Sequence, residues 1–272
     1  MSVSICVASG KGGVGKSTFT ANLGLALARA GHSTVIVDAD IGLRAQDTLL
    51  NLADQVVYDL VDVVHQDCLL DQALLSSPAE PQLKLLPAAQ FARVRSVEPK
   101  MLRKILAALR AAHEFVLVDC PAGIEKGFRT VLAAGGEEMI LLATPDDLCI
   151  RDAERACQIV EAKKLPRPRL VVNRLDNDLI RRGEMYSARV VAETLDLALL
   201  GEIPEDPAVY RAMLRRCPAL DIDCEARRAF LRIAERLTGR DIPLPEYGKY
   251  RIPFLRRLLA KELREVTPLE HH

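Results

Sequence analysis

The densest chemistry in the chain lies in the run Gly10-Lys-Gly-Gly-Val-Gly-Lys-Ser-Thr18. Gly10, Gly15, Lys16 and Ser17 satisfy the phosphate-loop pattern G-x-x-x-x-G-K-[ST]. Small residues let successive backbone N–H groups converge on phosphate oxygens, which bulky side chains would block. The nucleotide-binding set is therefore expected to be Gly12, Gly13, Val14, Gly15, Lys16, Ser17 and Thr18. Lys16 would reach the β- and γ-phosphates as a point charge, and the Ser17 hydroxyl would ligate Mg²⁺. ATP or ADP with Mg²⁺ is the implied cofactor. A second lysine, Lys11, follows the first glycine and is not part of the general pattern.

Two further runs end in acids. Val35-Ile-Val-Asp38-Ala-Asp40 closes an apolar stretch with two carboxylates, and Phe115-Val-Leu-Val-Asp119 has the same form. In open α/β sheets ligands bind beyond the carboxyl ends of the strands, so both runs point acids toward the phosphates. Asp119 would hold Mg²⁺ through a bound water. An isolated acid after an apolar strand is more often a helix cap; here the phosphate loop changes the weighting.

These groups need elements to position them. Continuously apolar segments recur at 4–9, 34–38, 83–87, 115–119, 139–144, 170–173 and 199–203. They do not alternate, as expected of strands covered on both faces. Helical patterns fall between them, at 19–30, 99–112, 150–162, 187–194 and 227–237. This alternation predicts an α/β fold with one doubly wound, mostly parallel sheet and helices on both faces. The phosphate loop then sits at a strand–loop–helix junction, with the helix N-terminus aimed at the phosphates.

The boundaries follow. An ATPase domain is expected over 1–240, and a Pro- and Gly-bearing linker over 241–250. Residues 269–272 look like a cloning remnant. The chain has 272 residues, with Lys+Arg and Asp+Glu both 37, so net charge argues against a protein coated in nucleic acid. No nucleic-acid partner is expected. No apolar run is long enough to span a membrane, no leader precedes the loop, and the seven cysteines, without a C-x-x-C, read as reduced core residues of a cytoplasmic protein.

The segment 251–266 reads as an amphipathic helix. Ile252, Phe254, Leu255, Leu258 and Leu259 would enter a membrane surface, while Arg256, Arg257, Lys261 and Arg264 lie opposite. From 249 to 264 six basic residues meet one acidic residue, a charge of +5 suited to anionic lipid. The same pattern also fits an ordinary helix packed on the domain with a solvated basic face.

Lys11-Gly-Gly-Val-Gly-Lys-Ser-Thr18 resembles the deviant Walker A motif of the ParA/MinD ATPases, and other segments are similar to its MinD branch. They are Asp38-Ala-Asp-Ile-Gly-Leu-Arg44, Val57-Tyr-Asp-Leu60, Asp119-Cys-Pro-Ala-Gly-Ile-Glu125, Arg151-Asp152 and Ile203-Pro-Glu-Asp206. The resemblance spans essentially 3–260 and implies an ATPase that helps place the bacterial division site. It implies that Lys11 reaches across an ATP-bound homodimer to the partner's phosphates, so that hydrolysis requires dimerisation. Asp40 would position the attacking water and Asp38 would help hold the magnesium shell. Asn173, Arg174, Pro204, Glu205 and Asp206 match the adenine-side segments, although an Asn at a strand end is commonly a turn residue. A division inhibitor of MinC type and an activator of MinE type are the implied partners, with the ATP form peripheral on the inner face of the cell membrane. The nearest alternatives are a flagellar-number or ParA-type positioning ATPase. An iron–sulfur carrier would need cluster-holding cysteines, and a non-hydrolysing scaffold would not need Lys11, Asp40 and Asp119 together. The chain departs from the MinD pattern at Ala45-Gln46-Asp47, where Asn-Leu-Asp is usual, and at Asn51-Leu52, where Met-Gly is usual. Those departures bear on dimer and partner contacts.

Overall fold

The computed structural model describes residues 2–77, 80–90, 97–124, 126–135 and 137–245. The expected linker beyond 245, the tail with Ile252, Phe254, Leu255, Leu258 and Leu259, and the remnant at 269–272 lie outside the described residues. In chain order the first half comprises β1 (Val3–Ala8), α1 (Lys16–Arg29), β2 (Thr34–Asp38), α2 (Gln46–Leu49), α3 (Leu60–His65), α4 (Leu70–Ala73), β3 (Leu75–Ser77), β4 (Glu80–Leu86) and α5 (Pro99–Ala112). The second half comprises β5 (Phe115–Asp119), α6 (Lys126–Ala134), β6 (Glu138–Ala143), α7 (Asp147–Ala162), β7 (Arg169–Leu175), α8 (Asn177–Arg182), α9 (Ala188–Leu195), β8 (Ala198–Pro204), α10 (Pro207–Leu214) and α11 (Glu225–Leu237).

Eight strands form one sheet in the order β3-β4-β2-β5-β1-β6-β7-β8. All neighbours are parallel except β3, which pairs antiparallel with β4 at the edge. The expected doubly wound, mostly parallel sheet is therefore present. Strands β2 and β5 are buried along their whole length, which their uninterrupted Val, Ile and Leu content requires. Helix α5 shows the complementary logic: Leu102, Ile105, Leu106 and Leu109 recur at helical spacing and are buried against the sheet.

The element ends explain most differences from the sequence reading. Helix α7 begins at Asp147 rather than near 150 because Asp146 caps it, accepting from the Cys149 N–H at 2.9 Å. Ser187 is likewise the cap of α9 and not its first residue. The short α2, α3, α4, α8 and α10 and the three-residue β3 carry too few apolar repeats to be read from periodicity. Residues 241–245, the start of the expected linker, are tied to the domain. Arg236 donates to the carbonyls of Ile242 at 2.8 Å and Pro243 at 2.7 Å. The described cysteines are all free, and Cys6, Cys120, Cys149 and Cys224 are buried.

The sheet order sets the site. The chain leaves β1 for β2, two strands to one side, and later crosses to β6 on the other, so β1 lies where strand order reverses. That is where an open α/β sheet leaves a crevice at its carboxyl edge.

Candidate functional site: the carboxyl edge around the phosphate loop

Backbone register brings the acids together before any side chain is considered. Asp38 on β2 pairs with Asp119 on β5, and Asp119 pairs with Val7 on β1, just short of the phosphate loop. Gly15 has φ +92°, a conformation that favours glycine, and serves as the N-cap of α1. A Cβ there would also stand 2.6 Å from Asn173 Nδ2. At the other end of the loop a Cβ on Gly10 would stand 2.3 Å from the Asp152 carbonyl oxygen, so the loop is pressed against α7. Val14 is buried beneath the loop, whereas Lys11, Gly12 and Gly13 at its tip are exposed.

The buried centre is polar and mutually bonded. Lys16, only 6% exposed, donates to Asp119 Oδ1 at 2.7 Å and stands 3.9 Å from Asp40 Oδ2. Burial works to lower the Lys16 pKa, but the Asp119 charge and hydrogen bond outweigh it, and the ammonium is held above its usual range. Asp38 accepts from the Asp40 N–H at 3.0 Å and the Gln46 N–H at 3.1 Å. Burial, and then the neighbouring Asp119 charge, push its carboxyl up to about 7. Asp40 is raised as well, chiefly by burial, with Lys16 opposing. Three clustered carboxylates facing one lysine leave an excess of negative charge at the carboxyl edge. A divalent cation relieves that excess, and oxygen donors suit Mg²⁺. Of the expected donors, Asp38 and Asp119 lie side by side in the sheet register, and their oxygens are of the kind that suits the metal the sequence implies.

Some contributors escaped the sequence reading. Thr20 donates to the Lys16 carbonyl at 3.0 Å. Gln46 Nε2 donates to Asp119 Oδ2 at 2.7 Å and to the Ser17 carbonyl at 3.0 Å. The only sequence signal for Gln46 was its departure from the MinD pattern. Arg44 donates to the buried Asp47 at 2.5 Å and so fixes the segment leading into α2.

The expected adenine-side residues gather separately. Asn173, Arg174, Pro204, Glu205 and Asp206 line a pocket of about 150 Å³ with Gly15, Thr18 and Phe19. Asn173 Nδ2 donates to the Val14 carbonyl at 2.8 Å, so this amide supports the loop from below. Asp206 caps α10 through the Ala208 N–H at 2.9 Å and also accepts from the Ala226 N–H at 3.2 Å. Burial opposes it, yet these bonds hold its carboxyl below the usual range. Arg174 and Glu205 face each other at 3.8 Å, both more than half exposed. The site residues expected near the phosphates and the base therefore converge on one edge. Among the described residues, no helix is long and apolar enough to cross a membrane.

Comparison with known proteins agrees with this geometry. The CobQ/CobB/MinD/ParA nucleotide binding domain matches residues 5–219. The septum site-determining protein MinD of Synechocystis sp. is 37% identical over 261 residues, covering 95% of this chain and 98% of that protein. The chain belongs to the MinD family. MinD of Bacillus subtilis is 38% identical over 247 residues, covering 90% of this chain and 92% of that protein. Among solved structures, the MinC:MinD cell division protein complex of Aquifex aeolicus matches with a TM-score of 0.84 and 34% identity, covering 91% of this chain and 100% of the matched chain. MinD of Pyrococcus horikoshii complexed with Mg-ADP matches with a TM-score of 0.78 and 28% identity, covering 89% and 100%.

Proposed function

We propose that this MinD-family chain is an ATP-driven switch that hydrolyses ATP only as a homodimer and carries a division inhibitor to the inner face of the cell membrane. The observation that carries the reading is the division of labour between two lysines of one loop. Lys16 is buried among Asp40 and Asp119, where a β- or γ-phosphate would take its charge. Lys11 stands exposed at the loop tip, outside that cluster. A lysine so placed is free to stabilise phosphate charge in a second copy docked over the loop, and phosphoryl transfer depends mostly on such positioning.

Within that reading Ser17, Asp38 and Asp119 hold Mg²⁺, which would neutralise charge between the phosphates. Asp40 lies at the rim of the carboxylate cluster and orients the attacking water. Asn173 and Arg174, with Pro204, Glu205 and Asp206, frame the adenine. The tail at 251–266 attaches weakly as one copy and far more firmly as two, because a dimer presents both tails to one surface. Hydrolysis then separates the dimer and releases it. The Aquifex relative is known in complex with MinC, which supports a MinC-type partner here; a MinE-type activator rests on resemblance.

Co-sedimentation with anionic liposomes tests the assembly. The wild type should pellet with ATP and remain in the supernatant with ADP. Lys11→Ala should still bind ATP in calorimetry yet stay monomeric by light scattering and fail to pellet. A normal dimer mass with normal turnover in that variant refutes the reading.

A further inference from the structure

Gln46 opens α2 and is fully buried. Its polar groups can be counted. The side-chain amide nitrogen has two hydrogens, and two acceptors take them: Asp119 Oδ2 at 2.7 Å and the Ser17 carbonyl at 3.0 Å. Its backbone N–H is spent on Asp38 Oδ2 at 3.1 Å. The amide oxygen, Oε1, is buried and has no hydrogen-bond partner. Flipping the amide does not help. It would set an oxygen against a carboxylate and a carbonyl, both acceptors, so the neighbours fix the orientation.

A buried acceptor without a donor is unfavourable, because it has given up water and gained nothing in return. The side chain that bears this one touches Asp119 and the residue whose hydroxyl is expected on the metal, and its backbone holds Asp38. All three metal-shell residues are thus tied to Gln46. Mg²⁺ dehydrates reluctantly and keeps several waters when bound by one or two carboxylates.

We propose that Gln46 is a positioning residue of the magnesium shell: its amide N–H groups fix Asp119 and the loop at Ser17, and its amide oxygen accepts a hydrogen bond from a metal-bound water. The inference rests on the reading of this site as one for a magnesium nucleotide. The segment that departs from the MinD pattern at Ala45-Gln46 then has a defined role. A carboxamide absent at 45 is present at 46, bonded to Asp119 and to the Ser17 carbonyl.

The test is the Mg²⁺ dependence of ADP affinity in the full chain, measured by calorimetry across a magnesium titration and again in EDTA. Groups that orient a metal's own ligands typically contribute 10–100-fold in metal affinity. Gln46→Leu should raise the Mg²⁺ concentration at half-saturation by about 10-fold or more, and weaken ADP binding in EDTA by far less than that. Gln46→Met, which keeps the length without either polar atom, should give the same shift and guards against a Leu variant that packs badly. Equal losses with and without metal would mean that Gln46 only shapes the loop, and would overturn the proposal. So would an unchanged magnesium curve. A wild type whose ADP affinity ignores Mg²⁺ would instead remove the magnesium reading itself, a result distinct from either variant's.

Discussion

At the phosphate end of the site, Lys16, Asp38, Gln46 and Asp119 are each no more than 6% exposed and hold one another through bonds of 2.7–3.1 Å. At the base end, the Arg174 and Glu205 side chains are 54% and 58% exposed and meet at 3.8 Å. The first is a low-dielectric cluster, where each charge depends on its neighbours. The second is a solvated pair, worth at most about 1 kcal/mol. The difference teaches where binding energy is committed. The phosphate end is organised in advance by the protein's own buried groups, whereas Arg174 and Glu205 at the other end are held mainly by solvent.

The sharpest way to break that contrast is Lys16→Ala. Charge-assisted hydrogen bonds contribute about 1.5–3 kcal/mol each, so losing those from Lys16 to the phosphates should weaken ATP binding by at least about 100-fold in calorimetry. The variant also leaves Asp119 buried without its cation, at a cost of about 3 kcal/mol to the nucleotide-free fold. Circular dichroism melts should show that loss. Near-native ATP affinity would remove the phosphate-loop assignment.

Glu202 probes the strand beneath the base end. It lies on β8, is 9% exposed, and is pushed up to about 7 by burial, with Arg236 and Arg232 opposing. Its folded pKa is therefore above the unfolded value. The favourable contribution is complete below about 4.5, where both states are neutral, and is lost as pH rises through about 7. Glu202→Gln should melt like the wild type at pH 4.5 but should be more stable at pH 8 by about 2 kcal/mol, or roughly 5 °C in Tm. Asp38 has a similarly raised carboxyl, but a divalent cation can relieve it. Magnesium nucleotide should therefore not abolish the Glu202 effect. An equal gain at both pH values would show that the glutamate is simply poorly packed.

The smallest effect is expected at the exposed pair. Arg174→Ala should reduce ATP affinity no more than about 3-fold, consistent with a solvated ion pair. A loss approaching that of Lys16→Ala would collapse the contrast between the two ends.

The phosphate end was largely legible in the sequence because its determinants are local. Gly10 to Thr18 fixes a loop, and an apolar run ending in Asp38 or Asp119 fixes a strand with an acid at its tip. Strand order was not legible. Nothing in the sequence says that β5 inserts between β1 and β2, and only that insertion sets Asp38 beside Asp119. Gln46 illustrates the limit. Its 73-residue separation from Asp119 is invisible to periodicity, and a glutamine reads as a surface residue. Asn173 is a different case. The sequence marks it as an adenine-side residue, but its bond from Nδ2 to the Val14 carbonyl at 2.8 Å joins residues far apart in the chain and could not be read there.

The contact between Gly10 and the backbone of Asp152 acts as a mechanical rivet. With no side chain at position 10, the root of the phosphate loop and α7 pack more closely than any Cβ would allow. The first turn of α7 carries Leu148, 61% exposed, outward to the surface. An apolar side chain thus stands in solvent at the start of the very helix on which the phosphate loop is seated.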